Sequence, residues 1–199
     1  MNLPNKTFCV LPWVSLETSP IGSMRPCCLA DDAITDDVGQ EFDLNEDSIE
    51  TARHSRYMRD LREQFLAGEK PRTCRKCWDV EDSRGTSKRM HTLNRLKHMI
   101  PINVEWSSDP EPLIFLDLKL GNICNLKCRI CGSWSSSTFA AEELEEEEDK
   151  KSSFPYKMIQ QGAWPRKSTV FWEELKHLSA GLRYIEFTGG EPFMIKEHF

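Results

Sequence analysis

The sequence predicts an α/β protein in two parts. A small, cysteine-rich α+β domain occupies residues 1–100, and the first strand–helix units of a parallel sheet follow from residue 113. Three observations predict this. The run "LIFLDLKL" (113–120) is short, apolar and stopped by Gly121, as in a strand buried on both faces. A second short run, "LRYIEF" (182–187), follows an amphipathic, capped segment at 168–181, so strand, helical segment, helix and strand alternate. The first 100 residues carry five cysteines among turn signals and two helical patterns.

The N-terminal elements follow in order. "FCVLPWVSLETSPIGSMRPCC" (8–28) has apolar residues punctuated by Pro and Gly, which predicts a hairpin. The acidic stretch 31–47 reads as exposed loop. Asp47 is the expected N-cap of a helix, with Glu50 closing a capping box. Ile49, Met58, Leu61, Phe65 and Leu66 give that helix its apolar stripe, and Gly68 ends it. A turn, "PRTCRKCW" (71–78), leads to a second helix expected from about Val80 to about Met99. Its Arg84, Lys88, His91, Arg95 and His98 would form one basic stripe, either an ion-paired face or a contact for an anionic ligand. Met90, Leu93, Leu96 and Ile100 would be its buried side.

Residues 101–112 hold three prolines and read as a linker. After the first strand, a helix is expected through the acidic tract "AEELEEEEDKK", an exposed, self-repelling segment. Residues 152–167 read as loop.

Composition bounds the function. The chain has 199 residues, 39% hydrophobic and 29% charged, as in water-soluble globular domains. No window approaches the ~18 apolar residues of a membrane span, and the N-terminus lacks the pattern of a secretory signal. A cytoplasmic location is therefore expected, where thiols stay reduced. The eight cysteines then call for metal or chemistry rather than disulfides. A formal net charge of −6 argues against nonspecific nucleic-acid binding by the whole chain. The five histidines show no metal-ligand pairing, and the six tryptophans suit a core or the shielding of a metal group.

The chemistry concentrates in "CNLKCRIC" (124–131), three cysteines in one loop after a strand. A structural zinc site takes four protein ligands. A cubane iron–sulfur cluster has four irons, so three thiolates would leave one iron open to an external ligand.

This pattern resembles the radical S-adenosylmethionine (radical SAM) superfamily, whose CxxxCxxC signature is matched by Cys124, Cys128 and Cys131. The family's GGEP-type motif after the second barrel strand is matched by Gly189, Gly190, Glu191 and Pro192. Before the third cysteine the family often has an aromatic residue near the adenine; here it is Ile130, which keeps an apolar contact without ring stacking. The resemblance implies a partial TIM-like (β/α)6 barrel, a 4Fe-4S cluster on the three cysteines, and SAM on the open iron with its amino group near the GGEP segment. One electron then cleaves the sulfonium C–S bond, and a 5′-deoxyadenosyl radical abstracts hydrogen from an unknown substrate, a peptide among the classes the family suggests. An electron donor such as a flavodoxin or ferredoxin is implied.

The N-terminal cysteines resemble the Twitch or SPASM domain that binds an auxiliary cluster in many of these enzymes. Matched position by position, the ligands would be Cys9, Cys27, Cys74 and Cys77, with Cys28 exchangeable for Cys27. Four thiolates suit zinc as well as a cluster, and the spacing does not separate them. From Leu113 there is room for only the first barrel units, so the rest of the barrel is expected from a longer protein or another chain. The rival reading is a non-catalytic iron–sulfur, zinc or electron-transfer module.

Overall fold

Four strands form one mixed sheet in the order β2-β1-β3-β4, with β1 at Ser15–Thr18, β2 at Met24–Arg25, β3 at Phe115–Lys119 and β4 at Tyr184–Thr188. The computed structural model describes residues 2–166 and 168–196. The expected hairpin is present: β1 and β2 pair antiparallel, with Glu17 opposite Arg25. β1 then pairs parallel with β3, Leu16 beside Leu116, and β3 pairs parallel with β4, Leu116 beside Ile185. Strands from both sides of residues 101–112 thus share one sheet. The hairpin covers the edge of β3 that a two-stranded sheet would leave bare.

Alternation gives the sheet two unlike faces. Leu16, Leu116, Leu118, Ile185 and Phe187 share one. Glu17, Asp117, Lys119, Glu186 and Thr188 share the other. The run read as uniformly apolar therefore carries a buried carboxylate at Asp117, only 5% exposed. It is accommodated by cations: Lys88 Nζ lies 3.8 Å from Asp117 and 3.9 Å from Glu186, and Arg95 reaches Glu186 at 2.7 Å.

The helices are α1 (Leu11–Val14), α2 (Ile49–Arg53), α3 (Arg56–Leu66), α4 (Arg75–Asp82), α5 (Lys88–Leu96), α6 (Ser137–Glu146), α7 (Phe154–Gln161) and α8 (Thr169–Leu178). Six of them start on a serine whose hydroxyl accepts from the amide three residues on: Ser48, Ser55, Ser87, Ser136, Ser153 and Ser168. Several expectations are corrected by these caps. Ser48, not Asp47, caps α2, while Asp47 accepts from the amide of Asp43. The helix expected over 80–99 is two helices. Arg84 adopts φ 63, the Gly85 amide closes back on the Val80 carbonyl at 2.8 Å, and Ser87 starts α5 afresh. The single basic stripe is broken with it, and Met90 is 40% exposed rather than buried. Residues 154–161, read as loop, form α7 behind the cap of Ser153. The acidic stretch 31–47 is irregular but anchored, with Ile34 and Leu44 fully buried.

The core is continuous from Phe8 to Ile195. Its aromatic centre stacks Phe8 on Trp13 and Trp106, at 4.6 and 4.8 Å between ring centroids. Each such side chain is worth about 1.5–3 kcal/mol through burial. The Pro-rich segment 101–112 docks onto this centre, because Trp13 Nε1 donates to the Ser107 carbonyl and Arg62 to that of Ser108. Among the described residues, no helix is long and apolar enough to cross a membrane.

Candidate functional site

Two cysteine groups flank the polar side of the sheet. Cys9 precedes α1, Cys27 follows β2, Cys74 ends a 3-10 turn and Cys77 lies in the first turn of α4. All four line one small cavity of about 20 Å³, with Phe65 and Trp78 also on its wall. Cys28 is turned away and lines a different cavity. Arg89 of α5 ties the segments of Cys9 and Cys77 together. Its fork grips Glu81 of α4 at 2.9 and 2.5 Å, its Nη1 donates to the Phe8 carbonyl at 2.8 Å, and it lies over the Trp78 ring. Burial pushes the Cys27 thiol up to about 11. Burial, and then the neighbouring cysteines, push Cys9 and Cys74 up as well. These thiols are therefore protonated at neutral pH until a cation displaces the protons. Four thiols lining one shielded cavity are the donor type of an iron–sulfur cluster. Among the described residues, no three Cys, His, Asp or Glu side chains converge closely enough to hold a single metal ion.

The second group sits on irregular backbone between β3 and α6, as expected. Asn122, 2% exposed, pins this loop: its side chain donates to the Ser133 carbonyl at 2.9 Å, and its own carbonyl accepts from the Ser137 amide at 2.7 Å. The start of α6 holds the first cysteine. Thr138 Oγ1 donates to the Cys124 carbonyl at 2.7 Å, and the Cys124 amide donates to Ser137 Oγ at 3.2 Å. The amide of Leu126 points at Cys124 Sγ, 3.4 Å away, and the Cys131 amide donates to the Cys128 carbonyl at 2.9 Å. Cys128 is exposed, while Cys124 and Cys131 are half-buried. Three thiols on a loop held by its backbone fit the donor chemistry of a cluster with an open position.

The segment after β4 packs directly on that loop. The Gly190 amide donates to the Gly121 carbonyl at 3.0 Å and the Glu191 amide to the Ile123 carbonyl at 2.8 Å. Gly189, at φ +99, and Gly190 make this approach sterically feasible, since a Cβ on Gly190 would stand 2.3 Å from the Ile123 carbonyl oxygen. The two glycines thus let the backbone of the two segments meet. Glu191 Oε1 accepts from the Phe193 amide at 3.0 Å and caps the 3-10 turn that Pro192 opens.

Beside this junction, at the C-terminal ends of β1, β3 and β4, lies a cavity of about 470 Å³. Ile130, Cys131 and Gly189 line it together with Cys28 and Lys119. Ile130 is 88% exposed. Cys124, Cys128, Gly190, Glu191 and Pro192 are not on its wall. The Glu17, Arg25, Asn122, Ser137 and Thr138 side chains were missed by sequence reasoning. The only signals for them were a polar residue inside an apolar strand and a run of serines and threonine after the third cysteine.

Compared with known proteins, the chain matches no family model, no curated protein and no solved structure.

Proposed function

We propose that the chain is the N-terminal portion of a radical SAM enzyme. Cys124, Cys128 and Cys131 hold a SAM-binding 4Fe-4S cluster, and Cys9, Cys27, Cys74 and Cys77 hold an auxiliary one. The observation that carries this reading is the pair of backbone hydrogen bonds from Gly190 and Glu191 to Gly121 and Ile123. They join the two motifs at the C-terminal ends of adjacent parallel strands, where ligands bind in open α/β sheets. When bound, the cluster and SAM supply one-electron cleavage of the sulfonium and hydrogen abstraction from substrate. The chain's residues do the positioning. Asn122, Ser137 and Thr138 fix the loop, Gly189 and Gly190 seat the GGEP segment beside it, and Ile130 offers an apolar surface to the adenine. The Glu191 carboxylate keeps a second oxygen for the SAM ammonium. A flavodoxin or ferredoxin in the cytoplasm supplies the electron.

The test is iron, sulfide and zinc content of anaerobically purified protein, for wild type and a Cys124/Cys128/Cys131→Ala triple variant. About eight irons in the wild type and about four in the variant are expected from two cubane clusters. Reductive release of 5′-deoxyadenosine by a longer form follows. Zinc without sulfide overturns the reading and leaves a non-catalytic metal module.

A further inference from the structure

The cavity beside Cys131 has polar groups that the cysteine motifs do not explain. Glu17 is 2% exposed. One of its carboxylate oxygens pairs with Lys119 Nζ, but the other, Oε2, has no hydrogen-bond partner. Ser135 is 5% exposed, and its hydroxyl has no partner either. Arg25 Nε is buried without a partner, and Arg25 makes no ion pair among the described residues. All three residues line the same cavity. Glu17 and Arg25 stand directly opposite each other on the β1–β2 hairpin. Opposed side chains at such positions share a face of the ladder and ordinarily pair when oppositely charged. Here no hydrogen bond or ion pair joins them, although the Arg25 charge acts on Glu17, and Lys119 takes one of the carboxylate oxygens. Buried polar atoms are almost always satisfied, so three orphans around one cavity point to an occupant.

We infer that this cavity is a substrate subsite for a free α-amino acid, whose carboxylate lies on Arg25 and whose ammonium lies on Glu17 and Ser135. The planar guanidinium fork matches a carboxylate in two parallel hydrogen bonds. Glu17 Oε2 can only accept while ionised, so it selects an N–H donor. A cation and an anion side by side select a short zwitterion. A phosphate group is disfavoured, because Glu17 and Asp117 would repel it and Lys119 already lies against both. The cavity volume of about 470 Å³ is ample for an amino acid. The inference deepens the proposed function, on which the word substrate rests.

The experiment is saturation-transfer NMR on the purified full chain with each free amino acid at about 10 mM, and with its N-acetyl amide. At least one free amino acid is expected to bind, and its blocked form about tenfold or more weakly. Arg25→Gln and Glu17→Gln should each weaken binding about tenfold with the circular dichroism spectrum retained, while Glu50→Gln, away from the cavity, leaves it unchanged. The inference is overturned if no free amino acid binds, if blocked forms bind equally, or if Arg25→Gln binds like wild type. It is also overturned if only methionine and S-adenosylhomocysteine bind, since the occupant would then be the cofactor. A zinc-only preparation that still binds the amino acid sinks the radical SAM reading and leaves the zwitterion site standing.

Discussion

Gly190 sits against Ile123 with no room for a side chain: an added Cβ would lie 2.3 Å from the Ile123 carbonyl oxygen and 2.7 Å from the Asn122 carbonyl carbon. Both neighbours are backbone, so neither can swing aside. The contact holds the end of β4 to the loop that carries the three cysteines.

Gly190→Ala should therefore force the two segments apart and cost about 1–3 kcal/mol, as overpacking does. For a chain of this size that lowers Tm by roughly 2–12 °C. Gly181→Ala is the control, because its Cβ would meet nothing closer than 3.6 Å. Equal melting of the two variants in differential scanning calorimetry would remove the junction from the account of the site.

Thiol labelling should divide the cysteines by environment. Burial raises Cys27 from an ordinary 9.0 to about 11, which cuts its thiolate fraction near neutral pH about 100-fold. In metal-free protein, iodoacetamide at pH 7.5 should label exposed Cys128 long before Cys27, and labelling of Cys27 should rise steeply as pH approaches 11. Mass spectrometry of quenched time points reads this out. The sign for stability follows from the same shift. The folded state holds the Cys27 proton more tightly than the unfolded state, so this contribution is complete below about pH 9 and is lost as pH rises through about 11. Urea midpoints of metal-free protein should fall over that range.

Glu174 of α8 caps a helix to which it is not connected. Its two carboxylate oxygens accept from the Ile49 and Glu50 amides at 2.7 and 3.1 Å, at the start of α2. Glu174→Ala should cost about 1–2 kcal/mol, the usual value of a charged cap at a helix N-terminus. Glu173→Ala, whose carboxylate pairs with Lys176 at the surface, should cost much less. Equal urea midpoints for the two variants would show the cap to be dispensable.

Arg62 is buried to 1% exposure and donates to three carbonyls: Pro12 at 3.0 Å, Ser108 at 2.9 Å and Arg53 at 2.6 Å. It joins α3 to α1 and to the 101–112 segment. Arg62→Ala leaves three buried acceptors unpaired and should cost about 3–5 kcal/mol. Arg62→Lys should recover only part of this, since one ammonium cannot span three directions. Amide exchange should become fastest at residues 106–109.

Much of this was already legible in the chain. Strands β3 and β4, helices α6 and α8, and the hairpin follow from runs a few residues long, because their signals are local: apolar period, a turn glycine, a serine cap. The three-cysteine loop was equally readable, since its spacing is contained in eight residues. The same capping logic misplaced the start of α2 by one residue, where Asp47 and Ser48 compete. It also overlooked the break at Arg84, whose left-handed backbone no local propensity favours. Other features required the tertiary structure. Whether Cys27 or Cys28 joins Cys9, Cys74 and Cys77 depends on which way two adjacent side chains point, and spacing carries no such information. The parallel pairing of β1 with β3 joins residues about a hundred positions apart, so no local pattern encodes it. The unpartnered Glu17, Arg25 and Ser135 exist as a group only once three strands and a loop close round one cavity. The sequence by itself determined the chemistry at hand, eight thiols in two groups and a glycine-rich turn; tertiary packing alone decided which of them face one another, because hydrogen bonds and burial act across space rather than along the chain.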